Sequence, residues 1–149
     1  MTGVRCEAKN FGWLTLAMVG AMVGALLQGC APKAPPAPTA RVFATDLEGG
    51  TKVCQVPKVA PLPGKDTQVA MKLGNDGGWC GIAVAADGKP YDAGLLIAPP
   101  AHGKVLIHTV GDATRIDYTP ETQFAGNDAF TVRLLPGGAV LRVDASVTR

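Results

Sequence analysis

Between Val42 and Arg149 no run of ten or more residues carries an apolar stripe at helical spacing, so helical architectures are excluded for this stretch. Turn formers cut it instead: Pro61-Leu62-Pro63-Gly64, Asn75-Asp76-Gly77-Gly78, Asp87-Gly88-Lys89-Pro90, Pro99-Pro100 and Gly111-Asp112. Between these breaks lie nine β-prone runs, 41–46, 52–59, 67–73, 81–86, 94–97, 104–110, 114–119, 129–135 and 140–148. With Gly 19 and Pro 12 in 149 residues, the composition suits a turn-rich β protein and stops short of disorder.

Alternation then marks the buried face of the last strands. Phe130, Val132 and Leu134 share one side while Thr131 and Arg133 take the other; Leu141, Val143, Ala145 and Val147 alternate with Arg142, Asp144, Ser146 and Thr148. Ile116 and Tyr118 add an inward pair. Pro136-Gly137-Gly138 is short enough to close the last two strands as a hairpin. Seven to nine short strands in a body of this size predict an all-β fold, a β-sandwich of immunoglobulin-like type over 41–149.

The N-terminal third has a different composition. Arg5 and Lys9 precede an apolar run, Phe11 to Leu27, of 17 residues, which has the layout of an export signal helix; a retained anchor helix is the alternative. The run ends at Leu27-Gln28-Gly29-Cys30, which resembles the lipobox of bacterial lipoproteins. That resemblance implies a signal peptide over 1–29 and a lipidated Cys30 as the new N-terminus, anchored in a membrane by two or three acyl chains (palmitate among them). At about 0.8 kcal/mol per buried CH₂, such chains give stable attachment. Because Ala31 follows rather than aspartate, the resemblance points to the outer membrane of the cell envelope. Residues 30–40 then form an Ala/Pro-rich linker, APKAPPAPTA after the cysteine, whose extended path at about 3.1 Å per residue would hold the domain on the order of 30 Å from the lipid.

Cys6 departs with the signal and Cys30 carries lipid, which leaves Cys54 and Cys80 as the pair in the mature domain. Outside the cytoplasm an isolated pair of this kind is expected as a structural disulfide, worth about 3 kcal/mol by loop closure.

Three spaced motifs occupy the second half of the domain. They are Pro100-Ala101-His102-Gly103-Lys104-Val105, then Ile116-Asp117-Tyr118-Thr119-Pro120, then Phe124-Ala125-Gly126-Asn127-Asp128-Ala129-Phe130. Together they resemble the cadherin-like and Ig-like repeats of bacterial surface adhesins, which carry P-x-x-G-x-V, Y-x-P and F-x-G-x-D-x-F at comparable places. The resemblance implies fold rather than activity, and a single copy implies no long stalk. Physically, Tyr118 can bury its ring and bond through its hydroxyl, Pro120 ends a strand, Phe124 closes one end and Gly126 supplies an unusual backbone angle. Asp128 is expected to accept N–H groups within its turn, with a calcium ligand beside Asp117, Glu121 or Asp87 as the rival role.

Little else points to chemistry. Lys+Arg 14 against Asp+Glu 12, net charge +2, provides no field for a phosphate backbone, so nucleic acid is not an expected partner. His102 and His108 are the only histidines, too few for a zinc site once the cysteines are paired, and Ser146 lacks a nucleophile elbow. No catalytic residue, metal or cofactor is therefore expected. Trp79, next to Cys80, is read either as packing beside the disulfide or as an exposed ligand contact. The expected function is binding: a lipid-anchored scaffold that docks another envelope protein, or a cell-wall glycan binder centred on Trp79.

Overall fold

The computed structural model describes residues 42–149. The expected signal segment, Cys30 and the linker to residue 40 lie outside them. Eight strands follow a short 3-10 turn at Ala44–Asp46: β1 Cys54–Gln55, β2 Asp66–Gly74, β3 Cys80–Val84, β4 Ala93–Ala98, β5 Gly103–Val110, β6 Ala113–Pro120, β7 Gly126–Leu135 and β8 Ala139–Thr148. They form a five-stranded sheet, β1-β2-β8-β7-β4, and a three-stranded sheet, β3-β6-β5. The fold is all-β, as the turn spacing predicts.

Two of the nine expected strands need correction. Residues 42–46 form no strand: Asp46 Oδ2 accepts the Phe43 N–H at 2.9 Å and closes the 3-10 turn at Ala44–Asp46, a local bond that competes with any ladder. The run 52–59 shrinks to Cys54–Gln55, paired with Leu73 and Lys72. Pro57, Pro61 and Pro63 supply no N–H, so the chain cannot continue along β2.

Elsewhere alternation places the core. β2 sends Val69, Met71 and Leu73 inward, β7 Phe130, Val132 and Leu134, β8 Leu141, Val143, Ala145 and Val147; the smaller sheet answers with Ile82, Val84, Ile116 and Tyr118. All are buried and belong to one cluster, at roughly 1.5–3 kcal/mol for each large side chain removed from water. β2 and β8 run parallel over nine residue pairs, Asp66↔Val140 to Gly74↔Thr148; every other ladder is antiparallel. The β5–β6 turn is Gly111-Asp112 with Gly111 at φ +59°, a left-handed value that glycine accepts without strain.

The two lateral seams between the sheets differ. On one side β1 and β3 are joined by the Cys54–Cys80 disulfide, with Cα atoms 5.3 Å apart. Opposite them are the edge strands β4 and β5, where Gly94 meets Ile107 so closely that a Cβ would lie 2.6 Å from its Cγ2.

Candidate functional site

The three sequence motifs meet at the end of the sandwich where β5 begins and β6 ends. Tyr118 is fully buried on β6, its ring 5.5 Å from that of Phe130 on β7. Its hydroxyl donates to Asp128 Oδ2 at 2.9 Å. Gly103 lies against the ring, where a Cβ would fall 2.4 Å from Tyr118 Cε2; the glycine is required by contact, not by its backbone angle. Pro120 is buried and ends β6. Phe124 is half-buried and stacks on His102 with ring centres 4.4 Å apart, and Gly126 sits at φ +142°.

Asp128 does more than hold its own turn. Oδ1 accepts from the Ala101 N–H at 2.9 Å and the Ala129 N–H at 2.8 Å; Oδ2 accepts from the His102 N–H at 2.8 Å besides Tyr118. The expected turn-capping role is thus enlarged to a clamp on the 99–102 loop. Burial works against its charge, but the Ala101 and His102 N–H groups, the Tyr118 hydroxyl and the Ala129 N–H together hold the carboxyl below its ordinary value. Burial first, and then the Asp128 carboxylate, push the Tyr118 phenol up. Both Asp128 oxygens are occupied by donors, and no cluster of three His, Cys, Asp or Glu fit for a metal occurs among the described residues.

A second polar cluster covers the outer face of the smaller sheet. Arg115 and Asp117 sit two apart on β6, and His108 is the register partner of Arg115 on β5. Arg115 donates through Nε at 2.9 Å and NH2 at 2.8 Å to Asp117 Oδ2, which His108 Nε2 also approaches at 2.9 Å. Asp117 is 3% exposed although it faces away from the core. Arg115 and His108 close over it, and the segment 46–51 fastens this layer: Arg115 NH1 donates to the Asp46 carbonyl, and Trp79 exchanges main-chain bonds with Gly49 and Thr51. Gly81 is needed beneath it, since a Cβ there would lie 2.5 Å from Asp117 Oδ1.

Trp79 belongs to this cluster. The Arg115 guanidinium lies 4.0 Å from its ring centre and its indole N–H donates to the Glu48 carbonyl at 2.9 Å. The half-buried ring packs neither beside the disulfide nor as a free platform: it lies against Arg115 and Gly49-Gly50, with one face and its N–H engaged. His108 is a packing residue of this cluster and His102 of the motif end; Ser146, on β8 of the larger sheet, is the register partner of Asn127 and lines an open surface cleft beside Ala101 and Asp128.

The open seam is apolar. Leu95, Leu96 and Ile97 of β4 are 47%, 38% and 47% exposed, and Leu106, on the outer face of the smaller sheet along the edge strand β5, is 59% exposed. β4 contains no charged residue, and β7 is its one neighbour in the sheet among the described residues. Edge strands of this kind are the usual place for another chain to add. Neither this surface nor the part played by Arg115 and Asp46 is legible in the sequence pattern. The two-residue turn at Gly111-Asp112 fixes His108 opposite Arg115 and could have disclosed the polar row; exposure of β4 has no comparable signature, because Leu-Leu-Ile reads equally as a buried strand.

Compared with protein-family models, curated proteins and solved structures, the chain has no match.

Proposed function

We propose that this chain is a bacterial lipoprotein of the cell envelope, held on the outer membrane through lipid on Cys30, whose one Ig-like, cadherin-like domain docks another envelope protein. It acts by binding and scaffolding rather than by catalysis. The observation that carries the reading is the open β4–β5 seam, where an edge strand without a charged residue exposes Leu95, Leu96 and Ile97 on a domain whose opposite seam is bonded shut. The motif cluster supports the fold assignment, since Gly103, Tyr118 and Asp128 are each explained by one interlocking contact set. The Pro-rich linker supports the anchoring, giving the domain reach from the lipid surface.

The test is a photoreactive residue at Leu95, with Gln55 beside the disulfide seam as control, in cells producing the full chain. Adducts from position 95 and not from 55 are expected. Equal background from both would defeat the docking reading, and acyl labelling that persists in Cys30→Ala would defeat the anchor.

A further inference from the structure

We infer that the occupant of the open seam is a second copy of this chain, its β4 added antiparallel to β4 of the first. This rests on the docking reading above and names its partner.

The charge layout of the seam argues for this occupant and for its direction. Asp92 precedes β4 and Asp112 lies in the β5–β6 turn, both exposed at the end where β4 begins. Lys104 is exposed near the other end, where β5 begins. An antiparallel copy brings the acidic end of each chain to the basic end of its mate, twice, while a parallel copy would set Asp92 against Asp92. Arg133, the register partner of Leu95 on β7, is the remaining charge beside the strand. Two such arginines would lie about three strand spacings apart, roughly 14 Å, beyond the screening length of about 8 Å at physiological salt.

The apolar side chains and the backbone fit the same geometry. β4 reads Ala-Gly-Leu-Leu-Ile-Ala, so a twofold between Gly94 and Leu95 opposes Ala93 to Leu96 and Gly94 to Leu95, uncharged residues throughout, and pairs the free N–H and C=O groups of the edge. The irregularity between Leu96 and Ala98 confines regular pairing to Ala93–Leu96. An isologous contact of one edge with itself consumes both edges and closes as a dimer, with no open-ended growth. Two copies lipid-anchored to one surface would also meet at raised effective concentration.

The experiment is native mass measurement of the full lipidated chain in detergent micelles, across a dilution series. A mass of two chains is expected, with Leu95→Lys weakening the dimer at least about tenfold, the effect of some 1.4 kcal/mol. Asp92→Lys should also weaken it, and Asp92→Lys with Lys104→Asp should restore it, a rescue that misfolding cannot imitate. A wild-type monomer at every concentration, a dimer indifferent to both Leu95→Lys and the charge swap, or an open series of larger assemblies would each overturn the proposal. Adducts at Leu95 holding a different protein, with the purified chain monomeric, would refute self-pairing and leave docking intact. Absence of both adducts and dimer would remove both.

Discussion

The Tyr118 hydroxyl donates to Asp128 Oδ2 at 2.9 Å, and the bond joins β6 of the three-stranded sheet to β7 of the five-stranded one. Because Asp128 also holds the Ala101 and His102 N–H groups, one carboxylate ties both sheets and the 99–102 loop. Its folded carboxyl titrates below the unfolded value of about 3.9, so its contribution to stability is full above that pH and is lost as pH falls through the folded value. Asp128→Asn presents an amide to donors that need acceptors, and should cost about 1–3 kcal/mol at neutral pH. Chemical denaturation from pH 7 to pH 2 should show a shallower acid limb in the variant than in wild type. Tyr118→Phe, which removes one donor to a charged acceptor, should cost about 1.5–3 kcal/mol in the same assay.

Gly103 and Gly81 are excluded from carrying a side chain by different neighbours. Gly103→Ala would drive a methyl into the Tyr118 ring, and Gly81→Ala would drive one into the Asp117 carboxylate. Each should lower stability by about 1–3 kcal/mol, the range for overpacking. Tyr118→Leu, by making room, should relieve the Gly103→Ala cost more than the Gly81→Ala cost, which a double-mutant cycle of unfolding free energies would measure.

What sequence disclosed followed from periodicity, and what it withheld followed from three-dimensional cover. The inward sets on β7 and β8 were readable because a period of two leaves little choice of face, and Cys54–Cys80 because the pair was what remained. The Y-x-P and F-x-G-x-D-x-F motifs marked the right residues, but Asp128 was assigned to its own turn because its partners, Ala101 and His102, lie 26–27 positions away. Asp117 alternates outward and so reads as solvated; it is buried because Arg115 and His108 close over it, Arg115 being tied in turn to the chain that crosses from Asp46 to Thr51. Nothing in a linear pattern reports such a crossing.

That crossing makes Arg115 a keystone of the outer face. Arg115→Ala leaves Asp117 without its cation and uncovers Trp79, so a loss of about 3–5 kcal/mol is expected, as for other broken buried pairs. Trp79 emission should shift to the red in the folded variant. An unchanged spectrum would mean that the guanidinium does not cover the ring.

The disulfide links the sheets where β1 is only two residues long. Cys54→Ala with Cys80→Ala should lower stability by about 2–4 kcal/mol, read as a fall in the denaturant midpoint without loss of the β-sheet signal. Two alkylatable thiols in the native wild-type chain would contradict the bond itself.

Docking through the open seam must protect the free amides of its edge strand, so hydrogen exchange at Ala93–Ala98 reads it out. Exchange is to be followed in native membranes holding the full wild-type chain and again with Leu95→Lys. Slow exchange across β4 is expected in wild type and fast exchange in the variant, with β8 slow in both. Fast exchange of the outward β4 amides in wild-type membranes would contradict docking.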